Sequence, residues 1–235
     1  LAALIYLFWG GAPGWGLRFG AALYGLGCCV AAWRCAAALW TRREGWWAAV
    51  LTAFFLIFDL PAVVTTLAPD LLMVLPSLAA IESAVRRQPV RAGLWCSVAL
   101  AANAKAALVL AVCLVWCESA FAWLLAGFLA GCLPWAIWLT ASGSLVDYWR
   151  QVWWFGGIYS RDTFVLHPVR EGLLRTANWL GFHLALLLAA VFALREEPRL
   201  RQYRWLASFV LAGVGVIAGA RFFPRYYFIL FIPLV

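Results

Sequence analysis

Charge is scarce in this sequence. Only 12% of its 235 residues are charged, whereas an average soluble domain has about 25%. Hydrophobic residues make up 66%, and no polar stretch is long enough to form a separate soluble domain. The composition therefore excludes an ordinary globular protein. It predicts an all-α polytopic bundle of transmembrane helices that forms one domain over residues 1–235.

Lysine is also scarce. Lys105 is the single lysine, and every other basic residue except the two histidines is an arginine, giving a net charge of +8. In a membrane protein this excess bears on orientation, and we expect no nucleic-acid partner. The seven cysteines all lie in apolar stretches, which is typical of small buried side chains. We expect these cysteines to form neither a disulfide framework nor a zinc site. The sequence indicates no cofactor, and it neither requires nor excludes a divalent metal.

Apolar runs of about 20 residues are candidate membrane spans. They lie at 17–40, 46–67, 71–85, 93–116, 119–139, 176–194 and 204–219, and a further one starts at residue 226. The chain also begins and ends within apolar runs. We therefore expect it to be a piece of a longer protein, cut at both ends.

Short arginine-rich loops normally face the cytoplasm. Three such loops lie at 42–43, 86–91 and 195–204, and all three should lie on the same side of the membrane. Two spans separate the first loop from the second, which is consistent. Three candidate spans separate the second loop from the third, and this would place the third loop on the wrong side.

The segment 93–116 resolves this conflict if it is a hairpin of two short helices. Its centre carries Asn103 and Lys105. A lysine at mid-bilayer would cost at least about 2.5–3.5 kcal/mol. At the non-cytoplasmic tip of a hairpin, Lys105 avoids this cost. Such a hairpin also implies a cavity that opens to that side, because non-helical backbone within a membrane must be covered by protein or water.

With this topology, several cations lie on or near the non-cytoplasmic side, against the usual bias. They are Arg18, Lys105, Arg161, Arg170, Arg175, Arg221 and Arg225. Arginine and lysine are suited to binding phosphate oxygens, so we predict an anionic ligand there, such as a lipid phosphate. For Arg161, Arg170 and Arg175, snorkelling or pairing with a nearby acid explains the charge equally well.

The acidic residues differ in expected depth. Asp70 begins the span 71–85, where it could cap the helix, worth about 1 kcal/mol, or line the cavity. Asp59 lies within a span, so it is a candidate site residue, although the nearby Pro61 gives it an alternative structural role. The glutamates at the cytoplasmic loops, Glu44, Glu82, Glu118, Glu196 and Glu197, are expected to be solvated.

The segment 140–175 is too polar to span a membrane and carries Trp149, Trp153 and Trp154. It predicts a short amphipathic helix in the non-cytoplasmic interface, followed by a loop. His167 in this loop could act as a base or ligand, or have no such role. Within the spans, His183 is expected to hydrogen-bond inside the bundle. Glycines four apart, as at 127 and 131, predict close helix packing.

Four stretches of the sequence carry a family resemblance. They are LIYLFWGGAPGWGLRFGAALYG, APDLLMVLPSLAAI, LAANAKAALVLAVCLVW and GARFFPRYYFILFIPLV. The first is similar to the segment that follows an outer loop, and the second to a helix that begins with an acid at the active-site face. The third looks like a short hairpin with a Thr-Lys or similar pair at its tip, and the fourth like an Arg-Phe-(Tyr/Phe)-Pro-His-Tyr stretch before a span that contains Leu-Pro. Together they resemble the bacterial GT-C membrane glycosyltransferases of family 39, of the protein-mannosyltransferase and aminoarabinose-transferase type.

The resemblance implies an inverting transfer of a sugar from a polyprenyl-phosphate donor to a lipid, glycan or protein acceptor. The reaction would take place at the non-cytoplasmic face of a multi-pass protein of the cell inner membrane. The resemblance also assigns site residues by their position in the matching stretches. The donor phosphate would be bound by Lys105, Arg221 and Arg225, and Asp70 would face the cavity as a candidate catalytic residue. The cavity would be lined by Arg18, Asn103, Tyr226 and His167. Arg225 stands where relatives often have histidine. The general base of the family, an aspartate, is expected before Leu1.

A secondary transporter or lipid flippase with a site for a lipid phosphate is the alternative. Broken helices and buried charges mark transporter sites as well. The one-sided placement of the cations and the lack of an internal repeat favour the transferase.

Overall fold

A computed structural model of the protein describes residues 13–58, 69–161, 166–218, 224–227 and 229–230. These residues are almost entirely helical, and no strand occurs among them, which confirms the all-α prediction. The α-helices are α1 (Pro13–Leu39), α2 (Arg42–Phe58), α3 (Pro69–Leu72), α4 (Val74–Val85), α5 (Pro89–Ala102), α6 (Ala107–Cys117), α7 (Phe121–Ala141), α8 (Leu145–Tyr148), α9 (Phe155–Arg161), α10 (Pro168–Phe182), α11 (Leu184–Arg195) and α12 (Arg199–Ile217). Short 3₁₀ turns at Ala104–Ala106, Glu118–Ala120 and Pro224–Tyr227 and a π-helical segment at Trp149–Trp154 complete the description.

Among the residues that the structure describes, two stretches are long and apolar enough to cross a membrane: Arg18–Leu39 in α1, and Ala104–Ala141. A third is added if α10 and α11, which are bent by 73° at their junction, count as one span. The second stretch reverses direction at Glu118, so that only its α7 part, 21 residues long, has the length of a full span. The composition of these helices supports membrane association.

The segment 93–116 is a hairpin, as the sequence predicts. Helix α5 ends at Ala102, and α6 starts at Ala107. The Sγ atoms of Cys96 in α5 and Cys113 in α6 lie 3.7 Å apart. In one continuous helix these residues would be about 25 Å apart, because the rise is 1.5 Å per residue. The two helices therefore fold back on each other, with Asn103 and Lys105 at the tip.

Helix α7 runs parallel to α5 at very short range. A methyl group built on Gly127 would overlap the carbonyl group of Val90, and one on Gly93 would overlap the backbone at Leu124. Backbones can approach this closely only where glycine leaves out the side chain. The prediction of close packing at Gly127 is thus confirmed, and α5, α6 and α7 form a compact three-helix unit.

The three arginine-rich loops meet at one end of the bundle, which we call the arginine-rich end (residues 40–43, 86–91 and 195–204). Arg201 donates a hydrogen bond to the carbonyl oxygen of Leu39, 3.2 Å away. Glu118 forms ion pairs with both Arg87 and Arg204. The sequence predicts that all three loops lie on the same side of the membrane. Their contacts agree with this prediction.

Glu82 corrects one expectation about this end. It was expected to be solvated, but the residue is buried. Its carboxylate oxygen Oε1 lies 3.0 Å from Nη2 of Arg34 in α1 and 2.9 Å from Nε of Arg86. A buried carboxylate is stable only when it is paired in this way. Glu82 thus fastens α1 to the end of α4.

The predicted span 176–194 is also corrected, because α10 starts earlier, at Pro168, and the helix breaks at His183. The carbonyl oxygen of Trp179 accepts a hydrogen bond from the backbone N–H of His183 at 3.0 Å. The ring Nδ1 of His183 lies 2.8 Å from the same oxygen. The backbone of His183 departs from helical values (φ −97°, ψ 11°), and α10 and α11 meet there at 73°. Hydropathy is continuous across this point, which is why the sequence did not indicate the bend.

The segment 140–175 contains more helix than predicted. After α7 the chain forms a nearly continuous helical arm, 145–161, and α10 already begins at Pro168. Trp149 and Trp154 are exposed on the arm. Exposed aromatic side chains of this kind suit a membrane interface, so the predicted interfacial location of the arm stays a prediction.

Replacement of Gly127 by alanine should destabilise the α5–α7 pair by about 1–3 kcal/mol, because the added methyl group overlaps the Val90 backbone. Thermal unfolding in detergent, followed by tryptophan fluorescence, measures this effect. Gly213→Ala is the matched control, since a methyl group there meets no atom within 4 Å and alanine favours the helix. Equal melting temperatures for the two variants would contradict the close contact.

The common side of the loops can be tested by cysteine labelling. Gln88→Cys and Glu196→Cys lie at the arginine-rich end, whereas Ser142→Cys lies at the end of α7, and all three positions are exposed. In a background without the half-buried Cys29 and Cys132, a membrane-impermeant maleimide should label the first two variants from one side of a vesicle and Ser142→Cys from the other. Labelling of Gln88→Cys and Glu196→Cys from opposite sides would refute the hairpin topology.

Candidate functional site

A cluster of polar side chains lies at the opposite end of the bundle, the hairpin end (residues 69–72, 103–106 and 224–227). Nζ of Lys105 lies 3.0 Å from Oδ1 of Asp70. Nδ2 of Asn103 donates to the same oxygen at 3.2 Å. Two residues of the hairpin tip therefore converge on the carboxylate of a third residue in a separate helical segment, and all three were selected from the sequence.

The local sequence explains how the hairpin tip presents these groups. Asn103 has an extended backbone (φ −158°, ψ 132°) that ends α5, and its side-chain oxygen accepts a hydrogen bond from the backbone N–H of Lys105 at 3.0 Å. Asparagine is favoured at such positions because its short side chain replaces a backbone partner. Asn103 thus stops one helix, starts the 3₁₀ turn before α6, and directs its own amide to Asp70.

Asp70 lies in α3, immediately after Pro69, which occupies the start of this short helix. An acid in the first turn interacts favourably with the helix dipole. The Asp70 side chain also contacts the hairpin tip through Lys105 and Asn103. The cavity-lining role that the sequence left open for Asp70 stays a prediction.

The two charges are unequally buried. The Asp70 side chain is 9% exposed, while that of Lys105 is 21% exposed. Burying a carboxylate without a partner is costly, so Asp70 depends on Lys105 and Asn103. An ammonium group has three N–H donors, and the more accessible partner of the pair is the cation. A ligand that reaches this cluster therefore meets positive charge first.

Tyr226 forms one wall of the site. The Lys105 ammonium lies 3.1 Å from the centre of its ring, which is a close cation–π contact. Tyr226 is buried and belongs to the Pro224–Tyr227 turn, which follows α12 along the chain. Tyr226 belongs to the fourth of the stretches that carry the family resemblance, and Lys105 belongs to the third. The fold therefore brings these two stretches into contact.

The neighbouring residue anchors this turn. The Tyr227 hydroxyl group lies 2.8 Å from Oγ1 of Thr176, and its ring stacks on Trp179 with a centroid separation of 5.4 Å. Trp179 in turn stacks on His183 at 4.2 Å, and His183 stacks on Phe55 at 4.6 Å. This aromatic column connects the bend between α10 and α11 to the turn beside Lys105. The predicted hydrogen bond of His183 within the bundle is confirmed by its contact with Trp179.

The remaining predicted site residues differ in exposure and in their partners. Arg18 is exposed on α1, and His167 is exposed just before α10. Nε of Arg175 lies 3.6 Å from a carboxylate oxygen of Glu171 in an ion pair along α10. This agrees with the interpretation that Arg175 pairs with a nearby acid. Arg221, Asp59 and the side chains of Arg161 and Arg225 lie outside the described residues.

Sequence reasoning missed three residues that support the site, namely Thr176, Trp179 and Tyr227. Their side chains have no unusual charge or depth, and only the adjacency of Tyr227 to Tyr226 pointed towards the site. Among the residues that the structure describes, no group of three or more His, Cys, Asp or Glu side chains could hold a metal ion.

Comparisons with protein-family models, curated proteins and solved structures found no significant match to the chain. The fold and site define it as an all-helical protein with apolar helices that could cross a membrane and a buried ion pair at one end. The resemblance to the GT-C transferases stays a prediction from the sequence. The activity of the site must therefore be argued from its own geometry.

The buried ion pair can be tested by a double-mutant cycle. Asp70→Asn should destabilise the protein by about 3 kcal/mol, because Lys105 is left without its buried counter-charge. Adding Lys105→Gln should recover part of this loss. In contrast, Glu171→Gln, which breaks the exposed pair with Arg175, should cost about 0.5 kcal/mol or less. Additive effects of the two site variants in thermal unfolding would show that the two charges do not interact.

Proposed function

We propose that the protein is an integral-membrane glycosyltransferase. It transfers a sugar, with inversion, from a polyprenyl-phosphate-linked donor to a lipid, glycan or protein acceptor at the non-cytoplasmic face of the plasma membrane. The observation that carries the proposal is the Asp70–Lys105 pair, held at 3.0 Å at the tip of a helical hairpin. The pair lies at the end of the bundle opposite the arginine-rich loops.

The position of Lys105 supports a role at the donor phosphate. When the glycosidic bond to phosphate breaks, negative charge develops on the leaving oxygen. A fixed cation at that oxygen lowers the energy of the transition state. Lys105 is held by Asp70 on one side and Tyr226 on another, so little reorganisation is needed when the charge develops.

Asp70 then acts mainly as a positioning residue in this proposal. Its carboxylate already accepts from Lys105 and Asn103, and it is the less exposed member of the pair. An acceptor hydroxyl group needs a carboxylate base within hydrogen-bond reach. That base is assigned by the family resemblance to an aspartate before Leu1, and Arg221 and Arg225 remain proposed further ligands of the donor phosphate.

A secondary transporter or a lipid flippase with a lipid-phosphate site is the second candidate. It is favoured by one observation: two helical elements are broken within the bundle, at Asn103 and at His183. Discontinuous helices of this kind form substrate sites in transporters. The two breaks differ in form, since one reverses the chain and the other bends it by 73°, and this asymmetry does not suit a repeated architecture.

Lys105→Gln tests the assignment. Transfer of radiolabelled sugar from a polyprenyl-phosphate donor by membranes containing the full protein should fall about 10²–10³-fold, the cost of removing one fixed charge partner of a transition state. Arg91→Gln, which changes an exposed arginine at the opposite end, is the matched control and should retain activity.

Two outcomes would contradict the proposal. Retention of transfer by Lys105→Gln would remove Lys105 from the donor site. Loss of donor-lipid translocation across vesicles in that variant, with no sugar transfer by the unmodified protein, would instead identify the transporter or flippase.

A further inference from the structure

The 3₁₀ turn Pro224–Tyr227 is held between two separate parts of the bundle. Side chains that are adjacent in such a turn point about 120° apart, so its two tyrosines face different neighbours. The ring of Tyr226 packs on the Lys105 ammonium group, which lies 3.1 Å from the ring centre. The Tyr227 side chain instead contacts α10, where its hydroxyl group meets Thr176. A displacement of the turn at Tyr227 therefore moves the ring that packs on Lys105.

The contact between Tyr227 and α10 has an apolar part and a polar part. Tyr227 is only 2% exposed. Its ring stacks on Trp179 with an interplanar angle of 22°, and its hydroxyl group lies 2.8 Å from Oγ1 of Thr176. Stacked rings can slide over each other, whereas a hydrogen bond has a narrow range of length and angle. The hydrogen bond to Thr176 therefore sets the distance between the turn and α10.

The bend between α10 and α11 makes this hydrogen bond possible. The two helices meet at 73° at His183, and Thr176 lies about 10.5 Å before the bend at 1.5 Å per residue. If α10 continued α11 in a straight line, Thr176 would lie about 12 Å from its present place and out of reach of Tyr227. Trp179 stacks on His183, and His183 stacks on Phe55 of α2. These ring contacts support the bent arrangement.

We propose that Thr176 and Tyr227 are positioning residues for Lys105. Their hydrogen bond holds the Tyr226 ring against the ammonium group, and the ring fixes the direction in which this group meets a donor phosphate. The inference rests on the proposed function and adds the residues that control the orientation of its cation. Asp70 restrains the ammonium group at 3.0 Å, and the ring restrains it from another direction. Small misplacements of a group that acts on a transition state are costly, so loss of the second restraint lowers the rate.

Chemical labelling of Lys105 tests the restraint without any assay of activity. Lys105 is the single lysine of the sequence, so acetylation of the peptide that contains it, followed by mass spectrometry, reports on this amine alone. Tyr227→Phe keeps the ring and deletes only the hydroxyl group, and Thr176→Val replaces the partner hydroxyl group by a methyl group. In the full protein, each variant should raise the labelling rate about two- to tenfold, the range expected for the net loss of one hydrogen bond.

Three further variants make the test specific. The double variant Thr176→Val/Tyr227→Phe should be labelled no faster than either single variant, since both changes remove the same bond. Thr176→Ser keeps the hydroxyl group and should retain the original rate. Ser208→Ala is the matched control, because it removes a buried hydroxyl group that accepts a hydrogen bond from Trp116 between α12 and α6. This control should also retain the original rate.

Three results would overturn the proposal. An unchanged labelling rate in both Tyr227→Phe and Thr176→Val would show that their hydrogen bond does not hold the ring against Lys105. An equal increase in Ser208→Ala would show that loss of any buried hydroxyl group loosens the bundle. Equal rates for Thr176→Ser and Thr176→Val would assign the effect to the shape of the side chain rather than to its hydrogen bond.

Sugar transfer by the same variants separates this inference from the proposed function. If both are correct, kcat of Tyr227→Phe should fall about two- to tenfold while KM for the polyprenyl-phosphate donor changes by less than about twofold, because the positioned charge acts on the transition state. If labelling increases but the unmodified protein transfers no sugar, the positioning of Lys105 holds and the proposed transferase fails. If transfer requires Lys105 but Tyr227→Phe changes neither transfer nor labelling, the transferase holds and the positioning inference fails.

Discussion

The contact between Asp70 and Lys105 determines how the hairpin end of the molecule is assembled. It joins α3 to the tip between α5 and α6, and the same lysine packs on Tyr226 from the far end of the chain. Three segments that are remote in sequence thus depend on one lysine. Neither charge is stable at this depth alone, since an unpaired buried charge is costly. The ion pair therefore fixes the geometry that a ligand would encounter.

The sequence predicted the hairpin because two independent constraints pointed to Asn103 and Lys105, namely the sidedness of the arginines and the cost of a lysine at mid-bilayer. The sequence also identified Asp70 and Tyr226 as candidate site residues. It could not show that both contact Lys105, because these contacts depend on how distant helices are arranged, and no local sequence signal encodes that arrangement. The bend at His183 escaped prediction for another reason. The backbone of His183 departs there from helical values (φ −97°, ψ 11°), and hydropathy does not distinguish a bent apolar helix from a straight one.

Glu82 shows a second limit of sequence reasoning. It was expected to be solvated, but the structure buries it between Arg34 and Arg86. Glu118, for which the same expectation was made, is exposed, and it forms ion pairs with both Arg87 and Arg204. Both acids therefore connect separate segments of the chain. The arginine-rich end is consequently held together by charge, whereas packing of small residues holds α5 against α7.

The shortness of the hairpin has a consequence for depth. Helix α5 has 14 residues and thus rises about 21 Å, while the hydrocarbon core of a bilayer is about 30 Å thick. With α5 starting at one membrane surface, Lys105 would lie roughly 9 Å short of the opposite edge of that core. Under the proposed function, a lipid phosphate would reach Lys105 only by descending from the head-group layer or where the local bilayer thins to meet the tip.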